Sequence, residues 1–142
     1  MIDVEPIVFD EVKNALLTAY PGITVLGEPP EQFAKFPTVV IEEIDNRTLK
    51  KTQDGSADEH HATVTYEINV YCNDQTGRKR KAKSLMNVCD NKMQSMMFTR
   101  ILKTPLPTVD RTIFRLYCRY RAVVGEPDED SSGNKTFQVY RG

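Results

Sequence analysis

Residues 62–71, Ala62-Thr-Val-Thr-Tyr-Glu-Ile-Asn-Val-Tyr71, decide the architecture of this chain. Val64, Tyr66, Ile68 and Val70 alternate with Thr63, Thr65, Glu67 and Asn69, the period-two pattern of a half-buried strand. A turn signal follows at Asn73-Asp-Gln-Thr-Gly77, and the period then lengthens. Ala82, Leu85, Met86, Cys89, Met93, Met96 and Met97 recur at three- and four-residue steps, which predicts a long amphipathic helix over 78–97. Alternation returns over 112–124. Phe114, Leu116, Cys118, Tyr120 and Ala122 share one face there, and Arg115, Tyr117, Arg119 and Arg121 share the other.

Outward from this block, residues 5–20 predict a second amphipathic helix, with Ile7, Val8, Val12, Ala15, Leu16 and Ala19 on one side. Asp3 suits its cap, Pro6 its first turn, and Pro21-Gly22 ends it. Residues 23–26 make a short strand, and Gly27-Glu-Pro-Pro30 an extended, solvent-facing connection. Residues 37–44 predict a strand whose Val39-Val40-Ile41 run implies burial on both faces. Segment 98–105 is extended and belongs near a sheet edge, because Pro105 cannot donate to a ladder.

Two stretches have loop composition: residues 46–60, long and charged, and residues 125–134, an acidic and flexible connector. The segment 135–142 then adds a final strand, over 136–140, or a tail. The expected fold is a single α+β domain over 1–142, an antiparallel sheet flanked by two helices. With 142 residues it buries roughly two-thirds of its unfolded surface.

Nineteen basic residues against twenty acidic ones give no global field that would attract nucleic acid or an anionic membrane. No apolar run approaches the ~20 residues that span a bilayer, and the N-terminus lacks a basic-then-apolar signal pattern. Cys72, Cys89 and Cys118 are too few and too scattered for a disulfide framework, and they read as buried thiols. His60 and His61 point to opposite faces of a strand, so they do not share a metal ion. No phosphate-binding glycine loop or nucleophile elbow occurs, and no catalytic residue, metal ligand or cofactor site is assigned. The chain does not read as an enzyme.

Two charge patterns remain. Arg78-Lys-Arg-Lys81 with Lys83 opens a helix, where the macrodipole disfavours cations, so a solvated face or an acidic neighbour suits it better than nucleic acid. Arg115, Arg119 and Arg121 form a one-sided row of guanidiniums suited to carboxylates. Their partners are either cross-strand acids, with Glu67 and Glu43 as candidates, or acids of an adjoining subunit. The alternative is a merely solvated face.

The run Val64-Thr-Tyr-Glu-Ile-Asn-Val-Tyr71, then Gly77, Ala82, Leu85-Met-Asn-Val88, Asp90, Met93, Phe98-Thr-Arg100, Pro105-Leu-Pro107, Thr112-Ile-Phe-Arg115 and Arg119-Tyr120 resembles the tail-terminator (tail-completion) proteins of long-tailed phages and prophages. The likeness rests on order, spacing and composition, and it extends from the N-terminal helix to about Val124. It implies a structural virion protein, assembled in the host cytoplasm, that caps the tail tube as a hexameric ring and meets neck or connector proteins on its other side. DNA would pass through the lumen without sequence-specific binding. Ring contacts would come from sheet surfaces and from the two long loops, here Lys50, Lys51, Asp54, Asp58 and Glu59 in one and Glu126, Asp128, Glu129 and Asp130 in the other. A different neck component, a stopper or an adaptor, is the nearest alternative. A nucleic-acid-binding module using residues 78–83 is a more distant one.

Overall fold

The central strand of the computed structural model is the alternating stretch of the sequence, and the rest of the chain is arranged around it. Residues 1–48, 61–129 and 131–140 are described. In order, the elements are α1 (Glu5–Ala19), β1 (Thr24–Leu26), β2 (Thr38–Thr48), β3 (His61–Cys72), α2 (Arg78–Ser95), β4 (Thr99–Leu106), β5 (Phe114–Gly125), β6 (Asp128–Glu129), β7 (Lys135–Thr136) and β8 (Val139–Tyr140). The main sheet runs β1-β2-β3-β5-β4, with β8 pairing β5 beyond the end of β4. All its pairings are antiparallel except β1 with β2, so the fold is α+β with a mostly antiparallel sheet.

Both helices lie on one face. Val8, Val12 and Leu16 of α1 and Ala82, Leu85, Met86, Cys89 and Met93 of α2 are buried, each set following helical spacing. They cover Ala62, Val64, Tyr66, Ile68 and Val70 of β3 and Leu116, Cys118 and Tyr120 of β5 in a single apolar cluster. Tyr66 meets the Phe98 ring edge-on with centroids 5.4 Å apart, an arrangement favoured by the ring quadrupoles. Val4, not Asp3, is the N-cap residue of α1 and makes no side-chain capping bond; Asp3, one residue further out, accepts the Glu5 N–H at its Oδ1 at 3.2 Å. Asp90 ties α2 to the sheet, accepting the Tyr120 hydroxyl at 2.7 Å and pairing with Arg100 at 3.1 Å.

The structure corrects several sequence readings. The long helix stops at Ser95, short of residue 97. The Phe98 N–H bonds the Met93 carbonyl at 3.0 Å and the Met97 N–H bonds Gln94 at 2.9 Å, the pattern of a Schellman terminus. Met97 takes the left-handed position at φ 71, so it leaves the core stripe and faces solvent, whereas Met96 stays packed against the core. β2 continues through Asn46, Arg47 and Thr48, which pair with Val64, Thr63 and Ala62; polar composition there marks an exposed strand end, not yet the loop. β5 begins at Phe114, not at Thr112. Asp110 Oδ1 accepts both the Thr112 N–H (2.9 Å) and its hydroxyl (2.7 Å), fixing a turn there.

The acidic connector contributes β6, which pairs β7 in a two-stranded ribbon. The expected final strand is accordingly split into β7 and β8, with the half-buried Phe137 between them lying against the core.

The outer face of β3 is also less open than alternation implies. Thr65, Asn69 and Tyr71 are buried there. Beyond the solvent-facing Gly27-Glu-Pro-Pro30 stretch, the chain returns to lay Phe33 4.4 Å from the Tyr71 ring, with Phe36 stacked on Phe33 at 5.8 Å.

Candidate functional site

The outer face of the sheet, away from the helices, carries the arginine row. Strand register arranges it in cross-strand lines. One runs Thr38–Tyr71–Arg115–Leu106, the next Val40–Asn69–Tyr117–Thr104 and the third Glu42–Glu67–Arg119–Leu102. A fourth runs Asp45–Thr65–Arg121–Thr99.

The three arginines turn out to be unequal. Arg115 is half-buried; its Nε donates to Asn69 Oδ1 at 2.8 Å, and its guanidinium sits 5.5 Å over the Tyr71 ring. The buried Asn69 amide oxygen thus gains a charged donor, and the guanidinium a ring face. Arg119 donates from Nε to the Tyr117 hydroxyl at 2.9 Å and stands directly across from Glu67. Burial raises the Tyr117 phenol above its usual range, Arg119 opposes that rise, and the neighbouring Glu67 adds to it. Arg121 is exposed, and among the described residues it makes no hydrogen bond or ion pair. Two members of the row are therefore occupied within the subunit, and Arg121 has no partner among the described residues.

Of the two proposed cross-strand acids, Glu67 faces the row and Glu43 does not. Glu43 pairs with Tyr66, whose side chain is in the core, and its own N–H donates to Glu5 Oε2 at 2.8 Å. Two consecutive acids on one strand point to opposite faces, which puts Glu42 on the outer side and Glu43 on the inner. Burial pushes the Glu43 carboxyl up to about 7; Glu5 and Asp3 reinforce the rise and Asn46 opposes it. Its Oε1 and the Tyr66 hydroxyl are shut off from solvent without a hydrogen-bond partner. Glu42, opposite Glu67, is raised first by burial and then by Glu67, Glu5 and Glu28. The β2 side of the outer face thus carries Glu42 and Asp45, the latter ion-paired with Arg47 at 2.8 Å.

Lys50, Lys51, Asp54, Asp58, Glu59 and Asp130 lie outside the described residues. Glu126, Asp128 and Glu129 are exposed beyond the end of β5, the last two on the separate β6–β7 ribbon and so apart from the arginine lines.

In the basic run, Asp74 answers part of the charge. Lys81 reaches its Oδ2 at 3.3 Å and Arg78 its carbonyl at 3.3 Å, while Lys79, Arg80 and Lys83 remain exposed. The three cysteines are free and buried, and burial holds each thiol above its ordinary range, Cys72 at about 11. Among the described residues no group of three His, Cys, Asp or Glu side chains is placed to hold a metal. No helix among them is long and apolar enough to cross a membrane.

Sequence reasoning did not find the groove at the start of β4, lined by Met97, Thr99, Ile101, Arg121, Val139 and Tyr140. Its walls come from three strands, and only the β5–β8 pairing brings residues 139–140 beside 121–123. This arrangement suits a protein contact better than a small molecule. It is open, apolar on two sides, and carries Arg121, which has no partner among the described residues. No protein-family model matches the chain, and a search of curated proteins returns no match.

Proposed function

We propose that this chain is a structural subunit of a long-tailed phage particle, of the tail-terminator kind, which assembles as a ring, hexameric in our reading, capping the tail tube and meeting neck proteins on its far side. The observation that carries the reading is Arg121, a guanidinium with no partner among the described residues, which stands beside exposed apolar side chains in the groove where β4 begins, a surface that a neighbouring subunit would complete. The order and spacing of motifs from Val64 to Tyr120 support it, as does the α+β fold that the resemblance leads one to expect. In this reading DNA passes through the ring without sequence-specific contacts, and the particle is completed in the host cytoplasm.

The test is an image of the purified protein, alone and mixed with tail tubes. Rings, and tube ends closed by them, are the expected result. A protein that stays monomeric and never binds a tube end refutes the proposal. Attachment to portal complexes in place of tube ends moves the chain to the stopper or adaptor role.

The exposed Lys79, Arg80 and Lys83 favour one further reading, a contact with nucleic acid. That reading requires a salt-dependent shift with DNA or RNA, lost when the three are neutralised.

A further inference from the structure

The sheet is sorted by charge from one edge to the other. β2 holds Glu42, Glu43 and Asp45 against Arg47, and β3 holds Glu67 as its one carboxylate. β5 holds Arg115, Arg119 and Arg121 with no acid, and β4 holds Arg100 and Lys103 with none. Because the order is β1-β2-β3-β5-β4, the acidic strand lies toward one edge and the basic strands at the other. β1 pairs only Thr38, Val39 and Val40, so no strand among the described residues covers β2 on that side from Ile41 onward. None covers the far side of β4 either.

Both edges carry the same irregularity. On β2 the register shifts between Glu43 and Asp45, leaving Ile44 unpaired and 42 % exposed. On β4 it shifts between Arg100 and Leu102, leaving Ile101 unpaired and 46 % exposed. The two shifts lie at one height, for Glu43 and Arg100 end the same cross-strand line through Tyr66 and Tyr120. Bulges commonly protect an edge, and a charge at the bulged position would do so best. Here each places an isoleucine at it, with Glu42 and Asp45 beside one and Arg100 and Lys103 beside the other; Asp45 also pairs with Arg47 at 2.8 Å and Arg100 with Asp90 at 3.1 Å.

Next to Ile101, Met97 is 46 % exposed and keeps a left-handed backbone at φ 71, a conformation that glycine adopts without strain. Leu102 and Tyr140 are exposed on the same side. Arg121, with no partner among the described residues, lines the groove with Met97, Ile101 and Tyr140.

We infer that copies of this chain join head to tail through the two sheet edges, Ile101, Leu102 and Met97 with Arg121 and Lys103 on one copy seating against Ile44 with Glu42 and Asp45 on the next. The apolar residues supply the buried centre, and the opposed charges set which edge meets which. A contact between two different surfaces of one chain is heterologous, so it repeats from copy to copy and closes into a ring when the rotation allows. The inference deepens the ring reading and rests on it only for the expectation that the contact repeats.

The experiment uses two charge-reversed full-length proteins, Lys103→Glu/Arg121→Glu and Glu42→Lys/Asp45→Lys, followed by sedimentation velocity and mass photometry over a concentration series. Each alone is expected to assemble roughly tenfold more weakly than wild type, or worse, because reversed edges oppose like charges. An equimolar mixture should regain assembly with the two proteins alternating. Assembly of either variant at wild-type strength overturns the inference, as does a mixture that stays dissociated or a wild-type chain that is monomeric throughout.

If a reversed protein fails to fold, Ile101→Ser and Ile44→Ser take its place, and wild-type assembly by both is equally fatal. Tube capping is read separately. Assembly that depends on the edges without any tube binding removes the tail-terminator role and leaves the edge contact standing. Tube capping by proteins indifferent to edge reversal does the opposite.

Discussion

Replacing Glu43 by Gln tests the electrostatics of the inner end of β2. In the fold the Glu43 carboxyl is raised from 4.5 to about 7, chiefly by burial, and its nearest titratable neighbours are Glu5 and Asp3 at the start of α1 and Tyr66 on β3. A raised carboxyl means that the fold prefers the protonated form. Its stability is therefore fully present below the unfolded value, declines as pH rises from about 4.5 to about 7, and loses nothing more above that. Each unit is worth about 1.36 kcal/mol, which makes about 3–4 kcal/mol an upper bound. Since Glu43 is half-exposed, solvent screening reduces this to about 1–2 kcal/mol. Gln resembles the protonated acid in shape and charge. The variant should match wild type at about pH 4 and exceed it by about 1–2 kcal/mol at about pH 8. Paired urea melts at both pH values measure the difference, and taking the difference cancels the titration of every other group. A difference that does not change with pH, or a variant less stable than wild type at the higher pH, refutes the reasoning.

Other substitutions probe the joints within the subunit. Asp90→Ala removes the acceptor shared by Tyr120, Arg100 and Gln94 and leaves a core hydroxyl unpartnered. It should cost about 2–3 kcal/mol in denaturant melts, and a loss below about 0.5 kcal/mol would deny that Asp90 anchors α2. Met97→Gly relieves the left-handed backbone and should raise monomer stability by about 0.5–1 kcal/mol while weakening assembly. A destabilised monomer would mean that the Met97 side chain contributes to the fold. Arg115→Ala should cost about 1–2 kcal/mol, because buried Asn69 loses its donor, whereas Arg121→Ala should stay within about 0.5 kcal/mol of wild type. Equal losses in thermal melts would contradict the division of the row into occupied and free members.

How far the sequence reveals this fold depends on the range of the physics involved. The alternation in 62–71 and the helical spacing of Ala82, Leu85, Met86, Cys89 and Met93 are local patterns imposed by burial of one face, and each gives its element correctly. Pro105 likewise announces an edge strand from its own chemistry. Met97 fits the spacing of the apolar stripe yet lies outside it, because the helix is ended by hydrogen bonds from Phe98 and Met97 that composition does not signal. The outer side of β3 looks polar, and nothing near it in sequence shows that Phe33 returns to cover Tyr71. Glu43 was a plausible partner for the arginines only while the register of β2 was unknown. The row itself was readable, but the separation of Arg121 from Arg115 and Arg119 depends on Asn69 and Tyr117, one of which comes from another strand.

Departures from good local practice occur at the two sheet edges as well as at sites such as the exposed Leu17 and Val109. Asp90, Asn69 and Tyr117 satisfy polar groups where elements of one subunit meet, whereas Glu43 Oε1 and the Tyr66 hydroxyl, between β2 and β3, find no hydrogen-bond partner among the described residues. At the two sheet edges the chain leaves Ile44 and Ile101 exposed at register shifts, and near the second it holds Met97 in a glycine-favoured conformation and gives Arg121 no partner among the described residues. For an isolated subunit each of these is a small loss, of roughly the 0.5–1 kcal/mol that routine substitutions recover. The two exposed isoleucines lie at one height across the sheet, with carboxylates beside one and cations beside the other, which is the arrangement that the proposed edge-to-edge contact would use.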